Sequence, residues 1–119
     1  MRVSGCSLLP IDQPWDIVDA LYTSPVAVQI EADTWNFQHY KSGIFKDANC
    51  GATLNHAVLV VGWGQSNGMN YFIIKNSWGT AWGEQGYMRI LLTDGQGICG
   101  MNKIAYQPNV HEPARDISK

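Results

Sequence analysis

Residues 54–64, LNHAVLVVGWG, and residues 70–83, NYFIIKNSWGTAWG, decide how this chain folds. Each opens with an apolar run of strand length, and QSNG lies between them, where the Asn67-Gly68 pair favours a tight reversal. The two runs therefore read as an antiparallel hairpin. One histidine, His56, stands at the head of the first strand, and one asparagine, Asn76, at the tail of the second. A loop centred near Ser66 sets them directly opposite each other, on one face, with Cβ atoms roughly 4.5 to 5.5 Å apart. A one-residue slip or a bulge would put them on opposite faces. The sequence permits a His–Asn pair without requiring one.

Working outward, IDQPWDIVDALYTS reads as a helix with Asp12 as N-cap, Pro14 in the first turn, and Trp15, Val18, Leu21 and Tyr22 on one side. Pro25 marks its end. VAVQIEA alternates and reads as a strand with Val26, Val28 and Ile30 facing inward. TWNFQHYKSG reads as a helical turn or loop. GYMRILL and KIAYQ supply two further strands around the loop TDGQGICGMN. The expected class is α+β, an antiparallel, barrel-like sheet covered by one helix near the N-terminus. Residues 1–108 form the expected domain and 109–119 a polar, frayed tail.

The 119 residues suit one domain, and 45% hydrophobic content with five tryptophans excludes a disordered segment. A formal charge of -2 with scattered lysines and arginines leaves no footprint for nucleic acid. The longest apolar run is far too short to span a bilayer, so no membrane partner is expected. VSGC has the look of a lipoprotein cleavage box, but two residues precede it, and the match reads as chance. Three cysteines, Cys6, Cys50 and Cys99, allow one disulfide with one thiol left over. A Cys50–Cys99 bridge would imply an oxidising compartment, whereas three buried thiols satisfy the spacing equally well.

An asparagine beside a histidine has a chemical use. Its amide oxygen accepts from one ring N–H, which fixes the tautomer and leaves the other nitrogen free to exchange a proton. Being neutral, it orients an imidazolium without strongly favouring it, which suits a partner that carries its own negative charge, a thiolate. Trp78 falls on the same face and could shield the bond from water. Against this stands a hairpin whose polar ends simply carry His and Asn.

LNHAVLVVGWG, YFIIKNSWGTAWGEQGYMRI and GICGMNKIAYQP resemble the C-terminal half of the papain-like cysteine peptidases, and VSGCSLLP, the helix and PVAVQIEA follow in that family's order. The resemblance implies catalytic roles for His56 and Asn76 and a covering role for Trp78, which also forms part of the leaving-group side of the cleft. Trp82 matches a second, structural aromatic. Gln29, Asn55 and Ala57 match the substrate groove and Ile104 the floor of a specificity pocket. Cys50 and Cys99 match the disulfide of this half.

The departures from the family matter as much. No segment of the type that carries the family's nucleophilic cysteine and oxyanion-hole glutamine occurs here. Cys6 is a poor substitute, because Pro10 interrupts any helix after it. Gln29 is polar where the pocket wall is normally apolar. The resemblance thus implies a cysteine-type endopeptidase of which this chain carries the His/Asn half, inactive alone. Its partners would be a peptide or protein substrate and a complementary N-terminal peptidase domain, without cofactor or metal, in a lysosome, a vacuole or outside the cell. The alternative is a non-catalytic half-domain acting as a binding or inhibitory module.

Overall fold

The structure, a computed structural model, describes residues 2–111. It contains strands β1 (Arg2–Leu8), β2 (Val26–Ile30), β3 (Ile44–Phe45), β4 (His56–Ser66), β5 (Met69–Lys75), β6 (Tyr87–Leu91) and β7 (Ala105–His111). Two helices, α1 (Pro14–Leu21) and α2 (Trp35–Gln38), and one 3-10 turn (Ile98–Gly100) complete it. All seven strands join one open sheet in the order β1-β7-β2-β4-β5-β6-β3. The pairings are antiparallel except β3 with β6. The α+β class stands, and the sheet is open at β1 and β3 rather than closed into a barrel.

β2 alternates as its sequence predicts, with Val26, Val28 and Ile30 fully buried. Val58 and Val60 of β4, Phe72 and Ile74 of β5, and Met88 and Ile90 of β6 extend that apolar face. Burying each such side chain contributes roughly 1.5 to 3 kcal/mol, so this one face dominates the stability of the sheet. α1 covers part of it through Ile17 and Val18.

Two expectations for α1 are corrected. The N-cap is Gln13, without a side-chain capping bond. Pro14 at the first helical position fixes where the helix begins, and Asp12 before it takes a left-handed φ of 57°. The buried stripe is Pro14, Ile17 and Val18, while Trp15 and Tyr22 are exposed. At the other end, Gln107 Nε2 of β7 donates to the carbonyls of Ala20 (2.6 Å) and Ser24 (3.0 Å), tying the C-terminal end of α1 and the turn after it to the sheet.

β7 runs through Pro108 to His111, so residues 109–111 of the expected tail are strand, and 112–119 lie outside the described residues. Its partner β1 shifts register between Val3 and Cys6, where the ladder meets Pro108, which has no N–H to donate. The Cys50–Cys99 disulfide ties the approach to β4 to the 3-10 turn, and Cys6 is free and exposed. With its ends separated by 49 positions in the sequence, the crosslink is worth about 4 kcal/mol in the loop-entropy treatment.

The β4–β5 hairpin departs from the simple register. Asn67 and Gly68 both have positive φ, 52° and 79°, as a two-residue type I′ turn requires. The turn therefore centres on these two residues, and Ser66 opposes Met69. Carried straight along both strands, that register would put His56 and Asn76 on opposite faces. A bulge intervenes: Gly62 faces Ile73 and Val60 faces Ile74, leaving Val61 unopposed. The extra residue flips the alternation of β4 and returns His56 to the face of Asn76.

Candidate active site

The lead-in to His56 is pinned before the strand begins. Asn55 N–H donates to Ile30 O at 3.0 Å, and its side-chain Oδ1 accepts from Ala32 N–H at 2.9 Å. His56, half-buried, opposes Ile30 of β2. The pairing of β5 with β4 ends at Lys75, while Asn76 N–H donates to Gly86 O at 3.0 Å, one step further along the β5–β6 register. If the ladder continued, Trp78 and not Asn76 would oppose His56.

The two side chains nevertheless meet, with His56 Nε2 and Asn76 Oδ1 2.8 Å apart. Ser77 N–H also points at Asn76 Oδ1, at 2.7 Å. A backbone N–H can only donate, so this contact fixes which end of the amide faces the ring. His56 Nε2 is then the donor, and Nδ1 is left without the proton on the neutral ring. Asn76 is 6% exposed, and its Nδ2 meets no acceptor among the described residues.

Trp78 lies over the imidazole with ring centroids 5.2 Å apart and planes 27° from parallel. It stands edge-on to Phe37 at 5.6 Å and to Trp82 at 5.4 Å. Both supports are buried, and Trp82 Nε1 donates to Phe37 O at 3.2 Å. Phe37 belongs to α2, whose N-cap Thr34 accepts from Phe37 N–H through Oγ1. One aromatic stack thus connects α2 to the His–Asn pair.

The remaining positions divide. Gln29 opposes Ala57 across β2 and β4, and Gln29 N–H donates to Ile104 O at 3.2 Å, so these three residues adjoin. Strand alternation puts Gln29 and Ala57 on the sheet face opposite to Ile30 and His56. Ala57 lines an open groove of about 380 Å³ with Ala27, Leu59 and residues 75–77. Asn55 spends its side-chain oxygen on Ala32. Ser77 was missed by sequence reasoning; its N–H orients Asn76, and nothing in the sequence distinguishes it from any other backbone donor. Among the described residues no three metal-ligating side chains gather, and no helix is long and apolar enough to cross a membrane.

An α+β chain with a tryptophan-covered His–Asn pair has known relatives. The family model described as papain family cysteine protease matches residues 2–109, and the chain belongs to that family. Chymopapain of Carica papaya is 46% identical over 110 residues, covering 91% of this chain and 31% of the relative. Germination-specific cysteine protease 1 of Arabidopsis thaliana is 41% identical over 116 residues, 95% of this chain and 31% of the relative. The chain therefore spans about a third of the length of these curated relatives. The bromelain protease from Ananas comosus, solved in complex with an inhibitor, superposes with a TM-score of 0.86 at 40% identity, over 92% of this chain and 52% of that one. The ragweed pollen allergen Amb a 11, a cysteine protease solved in its proform, gives 0.87 at 30% identity, over 95% and 31%.

Proposed function

We propose that this chain supplies the proton-transfer half of a cysteine endopeptidase, acting on peptide or protein substrates together with a complementary N-terminal peptidase domain. The observation that carries the reading is the 2.8 Å contact of His56 Nε2 with Asn76 Oδ1 beneath Trp78. With Nε2–H engaged by the amide, Nδ1 is the nitrogen available to take the proton of a thiol. The thiolate then attacks the substrate carbonyl carbon, and the π pair moves onto oxygen. As the C–N bond breaks, Nδ1–H of the imidazolium protonates the leaving amine. Nδ1 next takes a proton from the water that attacks the thioester, and returns it to the departing sulfur. Asn76 holds the ring throughout and adds no charge that would compete with the thiolate. Trp78 keeps water from the His–Asn bond and borders the leaving-group side. Gln29, Asn55, Ala57 and Ile104 are proposed to contact substrate.

The thiol has to come from the complementary domain. Cys50 and Cys99 are bonded to each other. Cys6 lies on β1, three strands from β4, and at 4.7 to 4.9 Å per strand that is about 14 Å away. The disulfide favours an oxidising site of action, vacuolar, lysosomal or extracellular.

Mixing the chain with a complementary domain and following a fluorogenic peptide tests the reading. Turnover should appear only in the mixture, fall almost to background with His56→Ala, and fall less with Asn76→Ala. Thiol-dependent turnover by the chain alone, abolished by Cys6→Ser, would overturn the division of labour. A mixture that forms a complex without turnover would favour a binding module.

A further inference from the structure

The segment 76–86 carries both the orienting amide and the covering indole, yet it lies between β5 and β6 and belongs to neither. It is rich in left-handed backbone: Gly79, Gly83, Gln85 and Gly86 all have positive φ. Such a segment needs anchors to hold one shape. Some are internal: Gly86 N–H to Trp82 O at 2.7 Å, and Asn76 N–H to Gly86 O at 3.0 Å. Gly83 N–H reaches outward to Tyr40 O at 3.2 Å.

The one charged anchor of the segment is Glu84. Its Oε1 accepts from Arg89 Nε at 3.0 Å, and Oε2 from Arg89 Nη2 at 2.8 Å and from Gly43 N–H at 3.0 Å. The two-pronged contact fixes the carboxylate in direction as well as distance. Tyr40 closes the ring, donating through its hydroxyl to Gly43 O at 2.6 Å and accepting from Arg89 N–H at 3.3 Å. On its other side the guanidinium lies over Tyr71, 5.6 Å from the ring centre. Glu84 thus clips the segment to β6 and to the stretch that follows α2, the two supports between which Trp78 and Asn76 hang.

We propose that Glu84 is a positioning residue for the His56–Asn76 pair, fastening the 76–86 segment so that Trp78 stays over the imidazole and Asn76 stays under Nε2. This rests on the proteolytic reading above for its catalytic consequence, but not for its geometry. The link from clip to site is short. Gly83 and Trp82 precede Glu84 directly, Trp82 supports Trp78 edge-on, and Gly86 O holds Asn76 N–H. Three hydrogen bonds converge on the Glu84 carboxylate, two of them from the Arg89 guanidinium, which also holds the carboxyl below its ordinary pKa range.

The test is NMR on the full chain, reading the His56 Nε2 proton and the ring-current shift that Trp78 imposes on the imidazole protons. Glu84→Ala should speed exchange of the His56 Nε2 proton about tenfold and collapse the ring-current shift. Glu84→Gln, which can still accept from Gly43 N–H, should fall between it and the parent. Gln107→Ala, which unties α1 from the sheet at a distance, should lower Tm and leave both signals in place. In the complemented enzyme, Glu84→Ala should lower kcat per titrated site about tenfold with KM for peptide unchanged. Unchanged His56 signals in a folded Glu84→Ala chain would overturn the proposal, as would Gln107→Ala moving them equally. Should the alanine variant not fold, Glu84→Gln and Arg89→Lys are read by the same criteria. If the parent mixture never turns over while Glu84→Ala still shifts the signals, the proteolytic reading falls and the positioning stands.

Discussion

The β4–β5 hairpin carries a cross-strand hydrogen bond to an asparagine oxygen at each end, and the two are built differently. At the turn end, Gln65 Nε2 donates to Asn70 Oδ1 at 2.7 Å between directly opposed residues, exposed to water. At the far end, His56 meets Asn76 at 2.8 Å between residues that are not opposed, beneath Trp78, with Asn76 almost wholly buried. The lengths nearly match, so the difference lies in surroundings. Water replaces the first bond readily, but a buried donor that loses its partner suffers its full desolvation. The first pair follows from strand register alone. The second depends on the bulge at Val61, on β5 stopping at Lys75, and on the anchored segment beyond.

Breaking the contrast at its root should have the largest effect. Deleting Val61 forces either the stretch that carries His56, Val58 and Val60 or the turn half from Gly62 to Ser66 onto the wrong face of β4. We expect a loss of about 4 kcal/mol or more in urea unfolding, or no cooperative transition at all. A deletion variant that retains the His56–Asn76 bond by NMR would contradict the parity argument.

Removing the cover makes one end like the other. Trp78→Ala should cost about 2 kcal/mol by equilibrium unfolding, through lost contacts with Phe37, Trp82 and the imidazole. It should also bring exchange of the His56 Nε2 proton towards that of the Gln65 amide. A covered-like exchange rate in this variant would show that Trp78 is not the shield.

Acid should separate the two ends more gently. Arg89 holds the Glu84 carboxyl below its usual range. The stability it contributes is thus complete above the ordinary value of 4.5 and is lost as pH falls through the lower folded value. Asp47, held low by Asn36 and by the N–H of Asn49, acts in the same direction. Tm followed from pH 7 into the acid range should therefore fall less steeply in Glu84→Gln than in the parent, and amides near Asn76 should loosen before those near Asn70. Identical slopes would assign the acid limb elsewhere. The smallest effect belongs to the exposed pair, where Gln65→Ala should stay within about 0.5 kcal/mol of the parent. A larger loss in urea unfolding would mean that the turn end is not solvated as described.

What the sequence made legible followed from local pattern. The hairpin, the alternation of β2 and the short helical turn at α2 are all readable from residues near one another. The meeting of His56 and Asn76 was readable too, but for the wrong reason. A turn centred near Ser66 would oppose them, whereas the positive φ pair at Asn67 and Gly68 shifts the register and the bulge restores the face. No local signal marks Val61 as the extra residue. β1 escaped because Gly5 interrupts any alternation and its partner β7 lies at the other end of the sequence. The same distance hid the adjacency of Gln29 and Ile104, which depends on β7 following the carbonyl that meets β2. For Cys50 and Cys99 spacing left the pairing open, and the family resemblance pointed to the bond that the structure contains.

The place of β7 in the sheet bears on how the protein is made. It is the last strand among the described residues, yet it sits between β1 and β2. A chain leaving the ribosome at 5 to 20 residues per second exposes β1 roughly 5 to 20 seconds before β7, its partner strand among the described residues, is synthesised. Through that interval the near edge of β2 is also unpaired, so the nascent protein offers two strand edges to any neighbour. Both close at once when β7 arrives. A polypeptide stopped before Ala105 would not be a slightly shorter version of this molecule, but a sheet open where it should be continuous and dependent on chaperones to remain apart from its copies.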